Sequence, residues 1–350
     1  MTEFRTKGGF RLFDPAKTAR TPFVAHVPDS PIAARAAALP SSVDFSDLVV
    51  IGNQETTGDC VDWAVTGAYE VARKVAGYPA TPAIYAKKWL YGMTDIREGH
   101  PGADEGSQPQ DALAVGQTYG FLPEDIYPES NPIPTAPTQA QLQAALNYRL
   151  QSWVPVVRIA SPDPRTALLP ALELLAQHRP LVIALLLHDS FENATDGIIP
   201  MPGNASTDPI AGGHGMFLCG LQDDPSFAGG GYGLAANSWS EAWGAASGGH
   251  TGGFAKIPYA YLCDGPLCMG IWDMTLPALA PVVPAPATIP VNISGATAAF
   301  PAYPDLLPGS VLAPAVLLAK ALGWNATRDA NGVYLTKPKV GLLARLFGVA

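Results

Sequence analysis

The chain has 350 residues, 48% of them hydrophobic, enough to bury one large core or two smaller ones. Its formal net charge is -9 and no run of Lys or Arg exceeds the pair Lys87-Lys88, so it lacks the basic footprint that nucleic acid or anionic lipid requires. The longest apolar run, Leu181 to Leu187, falls far short of the roughly 20 residues of a membrane span and reads as a buried strand closed by His188.

In chain order, the N-terminal stretch MTEFRTKGGFRLFDPAKTAR has scattered charge and no apolar core, so nothing marks it as a secretion signal. The cytoplasm is the default expectation, with export in a particle or by another non-standard route left open. The Pro and Ala content of VPDSPIAARAAALP predicts that residues 1–38 form an extended arm.

The next stretch, NQETTGDCVDW at 53–63, is polar until it reaches a cysteine and a tryptophan. Val61, Ala64, Val65, Ala68, Tyr69, Ala72 and Val75 then recur at intervals of three and four, which predicts an amphipathic helix stopped by Gly77. Asp59 is placed to cap it, which puts Cys60 in the first turn. Unpaired N–H groups and the positive end of the helix dipole make that the place where a thiol ionises most easily. The other cysteines differ. Cys219 lies in the apolar run MFLCGL and reads as core. Cys263 and Cys268 are close enough to bridge yet fit no zinc pattern, so a local disulfide and two free thiols both stay open.

A nucleophile needs a base, and the base needs an orienter. His26, His100, His178, His188 and His250 lie in Pro- or Gly-rich segments, beside Arg-Pro or at the end of an apolar strand. His214 stands between small residues at the head of the apolar strand AGGHGMFLCGL, where an imidazole can enter a cleft uncrowded. Downstream, GGYGLAANSWSEAWG runs from a short strand into a polar turn and offers Asn237 to hold an imidazole in one tautomer, with Trp239 and Trp243 beyond it.

Taken together these segments resemble the papain family of cysteine peptidases. LPSSVDFSDL looks like the start of the mature enzyme, and NQETTGDC is similar to the stretch from the oxyanion glutamine to the nucleophile. HGMFLCGL resembles the histidine strand and NSWSEAWG the asparagine motif, while DEGSQPQDALAVGQTYGFLPEDIYP resembles the helix and turn after the family's glycine pair. The resemblance spans residues 39–275. It implies an α+β fold with a helical lobe carrying Cys60 and a β-barrel-like lobe carrying His214 and Asn237. It further implies hydrolysis of peptide or protein substrates through a Cys60 thiolate and a thioester, without cofactor or metal. In that reading His214 is the general base and acid, paired with the thiolate as an imidazolium, and Asn237 orients it under the shield of Trp239. Gln54 and the Cys60 N–H form the oxyanion hole, while Gly106, Ser107 and Trp243 contact substrate.

The chain also departs from the pattern. Val61 and Asp62 separate the nucleophile from Trp63, Asp59 replaces a small neutral residue, and Thr57 stands where many members have a disulfide cysteine. Gly213, Ser107 and Ser240 are further departures. Two alternatives remain: a papain scaffold kept as a structural or virion-associated protein, and another Cys-His acyl transferase. Residues 1–38 are too few for the long helical propeptide of many relatives.

Beyond Met274 the Pro/Ala run TLPALAPVVPAPATIP predicts a stiff linker over 276–290. A small α/β module is expected over 291–340, with a strand at VNI, a second segment near ATAAF, a helix from about Ser310 to Leu322 and a final strand at GVYLTK, before an apolar tail at 341–350. AVLLAKALGWNATRDANGVYL resembles the small repeat of copper amine oxidase N-terminal domains and bacterial stalks, which implies a binding or assembly role toward a protein or cell-surface partner.

Overall fold

The computed structural model describes residues 24–25, 29–279, 288–293, 296–301, 325–329 and 332–336. The chain divides into two compact units, Met1–Pro277 and Ala278–Ala350.

The first unit begins with a short strand β1 (Val24–Ala25), which pairs in parallel with β4 (Arg158–Ile159). Residues Asp29–Ala38 follow as helix α1, where composition had predicted an extended arm. The difference has a physical cause: alanine is the strongest helix former, and Pro31 lies in the first turn, the one part of a helix that tolerates it. Ile32 and Ala36 pack on Ile159 and Leu169, and this burial holds the helix.

Strand β2 (Ser42–Asp44) leads to helix α2 (Cys60–Val75). Its expected apolar stripe is buried through Tyr69, but burial goes further, because Cys60, Asp62, Thr66 and Gly67 are covered as well. Only the last turn, at Lys74 and Val75, faces solvent. Helices α3 (Lys87–Glu98), α4 (Pro109–Thr118) and α5 (Gln139–Ala145) complete the helical lobe. Helices α3 and α4 pack on α2 and on each other.

The second lobe is built on a sheet of antiparallel strands, with short helices α6 (Pro164–Ala167), α7 (Leu169–Leu175), α8 (Asp189–Glu192) and α9 (Tyr259–Cys263) around it. Its strands are β3 (Ser152–Pro155), β5 (Leu181–His188), β6 (Ile210–Asp223), β7 (Gly231–Ala236), β8 (Ala245–Ser247), β9 (His250–Pro258) and β10 (Cys268–Thr275). The order is β3-β10-β5-β6-β7-β9-β8, with β2 also paired to β6. The sheet is open: its edges β3 and β8 do not pair with each other, which corrects the expected barrel-like lobe. Both edges are short, at four and three residues, which limits the unpaired backbone they present.

Strand β6 lies directly on helix α2. A Cβ at Gly215 would stand 2.7 Å from Val61 Cα, so the contact is backbone to backbone and only glycine permits it. Cys219 is buried in this core, and Cys263 and Cys268 are both free thiols, which closes the question their spacing left open.

In the second unit β11 (Thr288–Ile293), β12 (Ala296–Pro301), β13 (Asn325–Asp329) and β14 (Gly332–Thr336) form a sheet in the order β12-β11-β14-β13. The expected strands at VNI and GVYLTK coincide with β11 and β14, the segment near ATAAF is strand β12, and β13 is additional. The helix predicted over 310–322 and the tail at 341–350 lie outside the described residues, as do most of the linker and residues 1–23.

Candidate active site

Cys60 is the first residue of α2 and His214 lies on β6, five residues into a strand that starts earlier than the sequence suggested. Pairing of β6 with β7 brings Asn237, the residue just after β7, beside His214. Short contacts tie the three segments together. The Gly215 N–H donates to Cys60 Sγ at 3.3 Å, and His214 Nε2 lies 2.7 Å from Asn237 Oδ1. An N–H aimed at sulfur in the first turn of a helix stabilises negative charge there. With Nε2 committed to an amide oxygen, the imidazole donates through Nε2 and carries its lone pair on Nδ1. Nδ1 is buried and makes no hydrogen bond.

Trp239 packs on the imidazole, with ring centroids 4.7 Å apart, and is itself nearly buried. Trp243 stands behind it, edge-on to Trp239 at 5.0 Å and stacked on Phe191, and its indole N–H donates to the Glu192 carbonyl. It is thus held by protein contacts on its described sides. The His214 imidazole is wholly buried, and burial pushes its pKa down to about 4, against the opposing pull of the Asn237 hydrogen bond. A lone imidazolium is therefore disfavoured, and positive charge on this ring needs a thiolate beside it.

Gln54 is brought to the same place by a short antiparallel contact between 52–54 and 238–240, with Gln54 N–H donating to the Ser238 carbonyl and Ser240 N–H to the Gly52 carbonyl. Its side-chain amide is oriented at both ends. Nε2 donates to the Thr57 carbonyl at 2.8 Å, and Oε1 accepts from Ser238 Oγ at 2.5 Å.

Asp59 occupies the N-cap position of α2, yet its side chain makes no capping hydrogen bond, contrary to the sequence expectation. The carboxyl is buried instead, and burial, reinforced by Asp62 and Glu129, holds its pKa well above the usual carboxylate range. Burial therefore favours the neutral acid, which opposes charge on Cys60 less than a carboxylate would. Gly106 and Ser107 are both buried. The Gly106 N–H donates to the Tyr91 hydroxyl at 2.9 Å, and Ser107 Oγ donates to Asp62 Oδ2 at 2.5 Å.

Several groups that shape the site were not singled out in the sequence. Gly215 acts through its main chain, which no side-chain pattern reveals. Ser238 lay inside the asparagine motif and was passed over for its neighbours. Asp62 did carry a signal, as a carboxyl among the apolar residues of the helix. A small pocket of about 20 Å³ beside the site is lined by Trp63, Lys87, Phe217 and Asn237 among others. Among the described residues, no group of His, Cys, Asp and Glu is arranged to hold a metal ion, and no helix is long and apolar enough to cross a membrane.

No protein-family model matches the chain, and no curated protein matches its sequence. Solved structures do. The chain is similar to xylellain, a cysteine protease from Xylella fastidiosa, with a TM-score of 0.62 and 22% identity over 79% of this chain and 99% of that one. It is also similar to digestive procathepsin L2 from Tenebrio molitor, with a TM-score of 0.55 and 19% identity over 79% and 81%. Procathepsin L 3 from the same larvae gives 0.51 and 17% over 78% and 77%. The fold is that of papain-like cysteine proteases. None of these likenesses supports the copper amine oxidase or stalk resemblance of the C-terminal segment.

Proposed function

We propose that the protein is a cysteine peptidase acting through Cys60, His214, Asn237 and Gln54. The observation that carries this reading is the contact of Cys60 Sγ with the main chain of the residue after His214, while His214 directs Nε2 to Asn237 and keeps a lone pair on Nδ1.

In this reading His214 Nδ1 takes the thiol proton as sulfur attacks the substrate carbonyl carbon. The C–S bond forms, and the carbonyl oxygen becomes an oxyanion facing the Gln54 side-chain amide and the Cys60 N–H. Collapse breaks the C–N bond, and His214 returns its proton to the leaving amine. Water then attacks the thioester, giving a proton to His214, and the acid product leaves as the thiol is restored. Burial of His214 disfavours a charged ring, so the transfer depends on the thiolate formed beside it. Gly106 and Ser107 line the path of an extended peptide or protein substrate. The C-terminal unit serves assembly with a partner.

The same burial favours one rival, a scaffold that keeps the geometry without turnover. A peptidyl epoxide distinguishes the two. Mass mapping is expected to place the adduct on Cys60, and His214→Ala is expected to abolish it. Labelling that survives His214→Ala, or that falls equally on Cys263, would sink the peptidase reading.

A further inference from the structure

Asp62 is fully buried, in the first turn of α2, two residues from the nucleophile. Its Oδ2 accepts from Ser107 Oγ at 2.5 Å, and its Oδ1 lies 3.0 Å from Thr94 Oγ1 on α3. Thr94 Oγ1 is also 2.9 Å from the Leu90 carbonyl. A hydroxyl has one proton, so it cannot donate to both. The contacts close if Asp62 keeps its acid proton. Asp62 Oδ1–H then donates to Thr94 Oγ1, Thr94 donates to Leu90, and Ser107 donates to Oδ2, with each proton used once. Burial agrees, raising the Asp62 pKa to about 7 against the opposing effect of the contacts with Ser107 and Thr94.

A second tie runs alongside. Asp104 Oδ1 accepts from the Gly58 N–H at 2.7 Å and from the Tyr91 hydroxyl at 3.1 Å, and that hydroxyl accepts from the Gly106 N–H. Tyr91 and Thr94 are three residues apart on α3 and so share one face. The nucleophile segment 58–62 and the segment 104–107 are thus fastened together twice over the same helix.

We propose that Asp62 is a positioning residue, whose buried acid group locks the Gly106–Ser107 segment to the first turn of the nucleophile helix and so sets how an extended peptide meets Cys60. The effect on peptides rests on the peptidase reading; the lock itself does not. The hydrogen-bond pattern makes asparagine the faithful replacement, since its Nδ2 donates to Thr94 and its Oδ1 accepts from Ser107, as the neutral acid does.

The full-length chain is treated with a peptidyl epoxide, which needs the 106–107 segment, and with iodoacetamide, which does not. Asp62→Ala is expected to slow the epoxide about tenfold, the scale of one lost buried hydrogen bond, and to change the iodoacetamide rate less than about twofold. Asp62→Asn is expected to restore the epoxide rate to within about twofold. Equal slowing of both reagents, no slowing of either, or an asparagine variant no better than alanine overturns the proposal. Should Asp62→Ala not fold, Ser107→Ala removes the same bond and is expected to show the same split. Amide exchange gives an arm independent of activity: residues 104–107 are expected to exchange at least about tenfold faster in the variant while the centre of α2 does not change. If wild-type Cys60 takes no epoxide, the peptidase reading fails alone, and the exchange arm still decides the lock.

Discussion

The depth of His214 makes a quantitative prediction about acid stability. The imidazole titrates near 6.5 in an unfolded chain and near 4 in the folded one, because burial disfavours the charged ring. Between those values the unfolded state holds a proton that the folded state lacks, so stability rises with pH across that window. The contribution is fully present above pH 6.5 and is lost as pH falls to about 4. At about 1.4 kcal/mol per pH unit it amounts to about 3 kcal/mol. The assay is urea unfolding at intervals from pH 4 to 7, on wild type and on His214→Asn. The difference between the two chains at each pH removes what Asp59, Asp62 and other shared groups contribute. It is expected to grow with pH by about 3 kcal/mol in favour of wild type, and to grow by the same amount in a Cys60→Ala background. A flat difference would refute the burial argument. A difference that shrinks as pH rises would mean that the ring is charged at rest. Its folded pKa would then lie above 6.5, and the resting state would be a thiolate–imidazolium pair.

Three further predictions test other parts of the structure. Gln54→Ala is expected to lower kcat on a peptide substrate by about a hundredfold, the scale of one lost oxyanion donor, with the far-ultraviolet spectrum unchanged; a loss confined to KM would remove Gln54 from the oxyanion role. Arg165 holds the Asp223 carboxylate through Nε, at 2.9 and 3.0 Å, and also the carbonyls of Ala36 and Pro40, within and just after the end of α1. Arg165→Ala is expected to cost about 2 kcal/mol in urea unfolding and to expose α1 to protease, and an unchanged midpoint would show that α1 is held by Ile32 and Ala36 alone. Cutting the chain after Pro284 is expected to leave the thermal midpoint of the first unit and Cys60 labelling unchanged, since the unit boundary falls at Pro277; loss of the reactive thiol would make the two units one core.

What could be read from the sequence divides along a physical line. Cys60, His214, Asn237 and Gln54 each sit in a local pattern, a helix start or a strand end, that a few neighbouring residues specify. The long-range bonds that serve them are different. Asp62 and Ser107 are 45 residues apart in sequence, and Gln54 and Ser238 are 184 apart. No local window contains either pair, and a carboxyl near a helix start looks the same whether it caps in water or is buried as a neutral acid. Asp59 shows the cost of that ambiguity: its position matches a cap, but burial, which is a tertiary property, decides its charge and withholds the capping bond. The open sheet was hidden for a similar reason, since whether β3 meets β8 depends on accumulated twist and edge length and not on the alternation within any strand. Helix α1 is the reverse case, because its alanines favoured a helix locally while their prolines suggested an extended arm, and contact with Ile159 and Leu169 settled the conflict. The residues of the proposed site are thus locally coded, whereas the protonation of the acids around them is set by the assembled fold. The acids are therefore where substitutions should separate the stability of the protein from the reactivity of its thiol.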